Sequence, residues 1–244
     1  MEKIQQLNTV LVTGGSGGIG RALCLEFAQA GWQVGVHYRA RKAEAEQTAS
    51  LINEDGGTST TYQADIRDAA QVDAMITGFV AVYGHLDAII CNAGVPSGQL
   101  LLRLVPEEWG NVIATNLTGT FHCLQTAGRQ MLKQKYGAII VVGSYAGLHG
   151  DVGQSAYAAS KAGVLGLVKA SALEWGPHNI RVNAVLPGWH QTELAGAAVP
   201  DATKLNRHLL GRTPCLQDVV RSIFHLATRQ DISGQVWNLD SRLL

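Results

Sequence analysis

Short apolar runs rich in β-branched residues alternate along the chain with longer stretches in which apolar residues recur at helical spacing. The short runs predict β-strands and the longer stretches predict helices. Seven strands are expected, at Thr9–Thr13, Trp32–Tyr38, Thr58–Gln63, Leu86–Cys91, Ala138–Gly143, Ile180–Val185 and Gln235–Leu239. Because a helical pattern separates most consecutive strands, we predict an α/β fold in which helices cover both faces of a doubly wound parallel sheet.

Residues 188–210 differ from this alternation, because they are irregular, rich in glycine and alanine, and interrupted by Pro200. We predict a mobile substrate lid there, above a site at the carboxyl ends of the strands. The 244 residues, of which 46% are hydrophobic, suffice for one large domain that spans the whole chain. The clearest helices are predicted at Arg21–Ala30, Ala69–Tyr83, Glu107–Lys135, Gln154–Trp175 and Gln217–Thr228.

Charge and cysteine content exclude several classes of protein. Nineteen basic and nineteen acidic residues cancel, and no stretch concentrates lysine and arginine, so nucleic-acid binding is not expected. No apolar run approaches the roughly 20 residues of a membrane span, and no signal peptide is evident, so we expect a soluble cytoplasmic protein. Cys24, Cys91, Cys123 and Cys215 lack metal-ligand spacing. They predict buried thiols in a reducing compartment, with neither a disulfide framework nor a metal site.

The first predicted strand ends in the glycine-rich stretch TGGSGGIG, which leads directly into a helix. Glycine lets a phosphate approach the backbone closely, and the helix N-terminus offers oriented N–H groups to bind it. Taken alone, such a turn is equally consistent with a purely structural role.

Tyr157 and Lys161 lie one helical turn apart, so both side chains leave the same face of the predicted helix. An ammonium beside a phenol favours the phenolate, which indicates a tyrosine tuned to move protons near neutral pH. The spacing by itself also fits an ordinary exposed pair on a helix.

Six separated motifs agree in order and spacing with the classical short-chain dehydrogenase/reductase family, which the chain resembles over essentially its whole length. TGGSGGIG fits the family's TGxxxGxG and CNAG fits its NNAG; NLTG, the interval from Ser144 to Tyr157, YAASK and VNAVLPG fit the remainder. The chain looks most like the 3-oxoacyl-(acyl-carrier-protein) reductase branch, given VHYR after the second strand and GRTP and SGQVWNLD farther on. The resemblance implies a Rossmann-type, single-domain fold.

The resemblance also implies a catalytic set of Asn116, Ser144, Tyr157 and Lys161. Tyr157 would exchange a proton with the carbonyl oxygen while a nicotinamide exchanges hydride with the carbon. Ser144 would hydrogen-bond that oxygen, and Lys161 would lower the tyrosine pKa and hold the nicotinamide ribose. Asn116 would anchor a water that connects Lys161 to solvent.

Cofactor contacts follow from the same resemblance. The glycine turn would hold the phosphates, Asp65 and Ile66 the adenine, the Asn-Ala-Gly motif the adenine ribose, and the loop after the sixth strand the nicotinamide. Asp65 could instead cap a helix. Besides Tyr157 and Lys161, the implied contacts are Gly14, Ser16, Gly18, Ile19, Gly20, Asp65, Ile66, Asn92, Ala93, Gly94, Pro187, Gly188 and Thr192.

The choice between NADP(H) and NAD(H) depends mainly on the residues after the second strand. No acidic residue stands there to bind a ribose 2′-hydroxyl. Arg39, aided by Arg41 or Lys42, would instead bind the 2′-phosphate of NADPH. Two observations oppose this: charged residues often begin a solvated helix, and Gly17 occupies a turn position where many NADPH-using relatives carry a basic residue.

Reduction of a 3-oxoacyl thioester of coenzyme A or acyl carrier protein, or of a related β-keto compound, is the leading functional hypothesis. Oxidation of an alcohol or sugar, and a catalytically silent cofactor-binding regulator, are the alternatives. Arg129 matches a basic position that docks the carrier protein, but a second such position is Leu173 here. His190, beside Trp189, replaces a usual aliphatic residue, so it either reshapes the substrate pocket or exposes an imidazole.

The resemblance further implies a homotetramer that packs through the helices around Asn116 and Tyr157. The chain ends in NLDSRLL where relatives often have paired glycines, which would alter a subunit contact.

Overall fold

A computed structural model describes residues 8–192 and 205–243. Within them, seven parallel strands form one sheet in the order β3-β2-β1-β4-β5-β6-β7, which confirms the predicted fold class. Every strand overlaps its predicted position, and the boundaries differ by at most two residues. The strands are β1 Thr9–Val12, β2 Gln33–Tyr38, β3 Thr58–Gln63, β4 Ala88–Cys91, β5 Gly137–Val142, β6 Ile180–Leu186 and β7 Val236–Asn238.

Helices connect the strands and cover both faces of the sheet. Successive residues of β1 face opposite sides of the sheet. Val10 and Val12 belong to the core that contains residues of α1, α2 and α8, whereas Leu11 belongs to the core that contains residues of α3, α5 and α7. This alternation follows from the two-residue period of a strand. The helices are α1 Gly18–Gln29, α2 Lys42–Glu54, α3 Ala69–Tyr83, α4 Pro106–Ile113, α5 Gly119–Gln134, α6 Ala146–His149, α7 Ser155–Trp175 and α8 Leu216–Thr228.

The strand order reverses between β1 and β4, and this reversal positions the site. Ligands of open parallel sheets bind in the crevice outside such a switch point. The glycine turn leaves the carboxyl end of β1 and the Asn-Ala-Gly motif leaves that of β4, so both reach the crevice from adjacent strands.

The span Glu107–Lys135, predicted as helical, is helical in the structure but is divided into α4 and α5 by a π-helical turn at Ala114–Thr118 that contains Asn116. The α-helix resumes at Gly119, where a Cβ atom would lie 2.7 Å from the side chain of Ile66. A glycine is therefore required for close packing at the restart of the helix. The short helix α6 has no counterpart in the predicted elements, because four residues are too few to show a helical period.

One cysteine expectation is wrong. Cys24, Cys91 and Cys123 are buried, but Cys215 is exposed at the residue that precedes α8. Most of the predicted lid, residues 193–204, lies outside the described residues. Among the helices that the structure describes, none is long and apolar enough to cross a membrane.

Candidate active site

Thr13, at the end of β1, ties the glycine turn to the loop that follows β4. Its hydroxyl accepts the N–H of Asn92 at 2.9 Å and that of Ala93 at 3.0 Å. The Asn92 side chain donates to the Thr13 carbonyl at 3.0 Å. The Asn-Ala-Gly motif therefore fixes the two loops to each other, and its asparagine side chain braces the backbone of the glycine turn.

The glycine turn has a backbone that side chains would not tolerate. Gly14 has a φ of +70° and Gly18 a φ of +54°, and a Cβ at Gly20 would lie 2.0 Å from the Gly14 carbonyl oxygen. Gly17, just before α1, provides no side-chain cap, so the first N–H groups of the helix remain available to an external acceptor. This cradle suits a phosphate group. Ile19 lies in the first turn of the helix that provides it.

A cleft of about 170 Å³ extends from the glycine turn across the carboxyl ends of β2, β3 and β4. Seven of the predicted cofactor residues line it, and so does Arg41. Lys42 is absent from the lining and pairs with Glu46 at 3.5 Å on α2. The seven predicted residues are Gly14, Ser16, Arg39, Asp65, Ile66, Ala93 and Gly94.

His37 belongs to this cleft but was missed by the motif comparison. The imidazole is buried, its Nδ1 accepts the Gly14 N–H at 2.9 Å, and its Nε2 donates to the Ala64 carbonyl at 3.0 Å. Burial lowers the pKa of His37 to about 4, which keeps the ring neutral and matches these roles. In the sequence, the feature that could have indicated this role is a polar residue near the end of the otherwise apolar strand VGVHY.

Asp65 lies beside two arginines at the edge of the cleft. Its carboxylate accepts hydrogen bonds from the Arg67 side chain at 2.9 and 3.0 Å. This bond is the main cause of a lowered pKa for Asp65, and the nearby charge of Arg39 adds to the lowering. The alternative that Asp65 caps α3 is wrong, because the cap is Asp68, whose carboxylate accepts the Ala70 N–H at 2.9 Å.

Three of the four predicted catalytic side chains meet where β5 and α7 come together. The half-buried Tyr157 lies beside the Ser144 hydroxyl, and its ring centroid lies 5.7 Å from the Lys161 ammonium. That ammonium donates to the Val142 carbonyl at 2.7 Å. The helix therefore brings tyrosine and lysine together, and the strand end provides the serine.

The electrostatics of this group differ from the expectation that Lys161 lowers the tyrosine pKa. Burial raises the pKa of Tyr157, and the neighbouring Ser144 hydroxyl opposes that shift. Burial also lowers the pKa of Lys161 to about 8. The Lys161 ammonium donates to the Val142 carbonyl, and burial raises the tyrosine pKa. Tyr157 is therefore protonated at neutral pH, as a proton donor must be.

Asn116, the fourth predicted catalytic residue, lies fully buried in the π-helical turn. Its side-chain oxygen accepts the Val95 N–H at 2.8 Å, and its amide donates to the Val95 carbonyl at 2.9 Å and to the Ser160 hydroxyl at 3.2 Å. A Cβ at Gly94 would lie 3.1 Å from the Asn116 oxygen and 3.8 Å from the Lys161 ammonium. Asn116 thus joins the loop after β4 to the helix that carries Tyr157.

The loop after β6 contains the predicted nicotinamide contacts. Gly188 has a φ of +78°, and a Cβ there would lie 2.7 Å from Pro214. Thr192 packs against Gly18 of the glycine turn. His190 donates to the Pro187 carbonyl at 2.8 Å, and burial lowers its pKa. The half-buried, neutral imidazole therefore braces this loop.

Comparison with known proteins gives one consistent result. A sequence model described as short chain dehydrogenase matches residues 8–203. Three similar proteins are each named 3-oxoacyl-(acyl-carrier-protein) reductase. The Staphylococcus epidermidis protein is 41% identical over 93% of this chain and 95% of its own length. The Staphylococcus aureus protein is 39% identical over 95% of this chain and 96% of its own length. The Synechocystis protein is 37% identical over 96% of this chain and 96% of its own length.

Proposed function

The chain belongs to the short chain dehydrogenase family, and we propose that it is an NADPH-dependent reductase that converts a 3-oxoacyl thioester to the 3-hydroxyacyl thioester. The observation that carries this function is the cluster of Ser144, Tyr157 and Lys161 next to the cleft that Arg39 lines. The Lys161 ammonium lies close to Gly94, which lines that cleft. Similarity to three 3-oxoacyl-(acyl-carrier-protein) reductases over nearly the whole chain supports the substrate class.

The described residues fit a nicotinamide dinucleotide. Gly14, Gly18 and the uncapped start of α1 suit the pyrophosphate, because the two glycines give the turn its left-handed backbone and the helix start leaves its first N–H groups available. Arg39 and Arg41 line the same cleft and favour a ribose 2′-phosphate, hence NADPH. When bound, the reduced nicotinamide would supply the hydride.

Tyr157 would donate a proton to the carbonyl oxygen of the substrate. Its raised pKa keeps the phenol protonated at neutral pH, and the Ser144 hydroxyl lies beside it. The serine hydroxyl would also stabilise the negative charge that develops on the same oxygen. The chain's own contribution is therefore proton donation and charge stabilisation at one atom.

Lys161 and Asn116 would support this proton transfer. Lys161 has a pKa of about 8, so at neutral pH most of its ammonium is charged and can hold ribose hydroxyls or stabilise a phenolate once the proton has left. Asn116 would fix Val95 and the start of α7. We also propose that it anchors the water that the family resemblance implies.

The carrier of the acyl group depends on surface residues. Arg129 is exposed on α5, which suits contact with an acidic carrier protein. Leu173 is 81% exposed on α7 and supplies no charge at the second docking position. We therefore propose that Arg129 contributes to docking, and that coenzyme A thioesters are substrates as well.

A homotetramer is part of the same proposal. Exposed apolar side chains on α5 and α7 support it, because such side chains favour contact with a second copy. They include Phe121, Leu132 and Leu173, which are 40%, 37% and 81% exposed.

The test follows NADPH absorbance with acetoacetyl-coenzyme A and with the acetoacetyl carrier protein, beside the Tyr157→Phe variant. We expect oxidation of NADPH by the wild-type protein, a much slower reaction with NADH, and none above background in the variant. Cofactor binding without turnover on any β-keto thioester would contradict the function. Faster turnover of alcohols with NAD would favour the oxidative alternative, and silence on all ketones and alcohols would favour a regulator.

A further inference from the structure

Residues Asp240–Leu243, here the clamp segment, follow β7 and contact three separate parts of the substrate side. The first part is the stretch that comes after the predicted lid. The Ser241 carbonyl accepts the Leu209 N–H at 3.0 Å, and the Ser241 hydroxyl accepts the Leu210 N–H at 3.3 Å. The clamp segment therefore fixes the backbone where the described chain resumes.

The second part is the loop with the predicted nicotinamide contacts. A Cβ at Gly188 would lie 2.8 Å from the Cβ of Asp240, so the Asp240 side chain packs directly against the Gly188 backbone. The Asp240 carboxylate is fully buried. It accepts one hydrogen bond from the Arg242 side-chain Nε–H and one from the Arg242 backbone N–H, both at 2.8 Å. His190 and His208 are the other titratable groups near this carboxylate. The aspartate thus joins the loop to the arginine.

The third part is Tyr145, which directly follows Ser144. The Tyr145 hydroxyl donates to the Leu243 carbonyl at 2.9 Å. The Arg242 guanidinium lies 4.0 Å from the centroid of the Tyr145 ring, and the His149 ring is stacked on Tyr145 at 4.3 Å. A guanidinium over an aromatic face is attractive, and a buried carboxylate partner holds it in place.

We propose that Arg242 is a positioning residue of the active site. It holds Tyr145 from one side and Asp240 from the other, and so fixes Ser144 relative to Gly188 and the stretch after the lid. Arg242 touches none of the predicted reacting groups; it acts through the residue next to Ser144. This role presupposes the ketone reduction proposed above, since Ser144 must be placed against the substrate carbonyl.

The test compares Arg242→Ala, Arg242→Lys and Tyr145→Phe with the control Arg221→Ala, which removes an exposed arginine from α8. We expect Arg242→Ala to lower kcat for acetoacetyl-coenzyme A by about tenfold, because a small misplacement of a reacting group has effects of this size. The dissociation constant of NADPH should stay near the wild-type value. Arg242→Lys should recover part of kcat, since its ammonium can still lie over Tyr145.

Hydrogen exchange of peptides that cover residues 144–150 supplies a readout independent of activity. Exchange there should become faster in Arg242→Ala and, to a smaller extent, in Tyr145→Phe, but not in Arg221→Ala. Unchanged kcat and unchanged exchange in both Arg242 variants would overturn the positioning role. Equal loss of kcat, NADPH binding and thermal stability would also overturn it, because that pattern indicates a general structural defect. A wild-type protein without ketone reduction would instead contradict the proposed function, while the exchange comparison would still test the clamp.

Discussion

The cofactor end and the substrate end of the candidate active site are built in different ways. At the cofactor end, Gly14, Gly18 and Arg39 come from one strand-helix-strand unit, and their positions follow from where β1 and β2 end. At the substrate end, Ser144, Gly188 and Arg242 come from three distant segments. These segments meet through one hydrogen bond and one ring contact of Tyr145 and through the packing of Asp240 against Gly188. We therefore expect substitutions at the first end to change binding and those at the second to change turnover.

Tyr157→Phe is expected to have the largest effect and to separate the two ends most cleanly. Loss of the proton donor should lower kcat by about a thousandfold. The dissociation constant of NADPH, measured by fluorescence titration, should remain close to wild type. A variant that retained a tenth of the wild-type kcat would show that another group donates the proton.

Arg39→Ala should act in the opposite manner. Removing a charged partner of the 2′-phosphate should raise the dissociation constant of NADPH by about ten- to a hundredfold. The affinity for NADH and the kcat at saturating NADPH should change little. Lys42→Ala is the matched control, because Lys42 pairs with Glu46 and does not line the cleft. Equal losses in both variants would refute the assignment of Arg39.

His37→Leu should weaken the cofactor end by a smaller amount. The variant leaves the Gly14 N–H and the Ala64 carbonyl without their imidazole partner, at a cost of about 1–3 kcal/mol in the free energy of unfolding. The affinity for NADPH should fall about tenfold, because the glycine turn loses the hydrogen bond that fixes Gly14. Denaturant titration and fluorescence titration measure the two quantities. The exposed His178, replaced by Leu, provides the control.

The same histidine predicts a pH dependence in the wild-type protein. Between its ordinary pKa of 6.5 and its value of about 4 in the fold, the unfolded chain binds a proton on His37 that the native protein does not. The free energy of unfolding should therefore decrease as the pH falls through this window. The nearby Asp65 carboxylate opposes the shift without reversing it. The His37→Leu variant should show a shallower slope, and an identical slope would contradict the burial of a neutral imidazole.

Arg129→Ala should have the smallest effect and leave both ends of the candidate active site intact. We expect kcat/KM to fall a few-fold with a carrier-linked substrate, since rim charges mainly affect association rates. It should not change with the coenzyme A thioester. A loss with both substrates would place Arg129 in the folding or assembly of α5 instead of in docking.

The predictability of the molecule follows the same division. The seven strands were predictable because buried parallel strands form apolar runs bounded by turns. The glycine turn was predictable because its positive φ values require a particular residue type in a fixed local order. The π-helical turn at Asn116 was not, since the side chain that stabilises it bonds to Val95, in a different loop.

The substrate end was predictable only in part. Tyr157 and Lys161 share one helix, so their spacing placed them together. Burial, which raises the pKa of Tyr157, depends on the packed fold and reversed the direction expected from the lysine alone. Arg242 carries no motif, because its role depends on a ring contact with a residue almost a hundred positions earlier in the chain.

Hydride transfer to a 3-oxoacyl thioester is measured most directly with isotopically labelled cofactor. The wild-type protein would be incubated with acetoacetyl-coenzyme A and NADPH that carries deuterium on one face or the other of nicotinamide C4, and the product analysed by mass spectrometry. We predict a 3-hydroxybutyryl thioester with one deuterium at C3 from one of the two labelled cofactors, and no labelled product from Tyr157→Phe. Product without deuterium from either labelled cofactor, or no product at all, would contradict the proposed reduction.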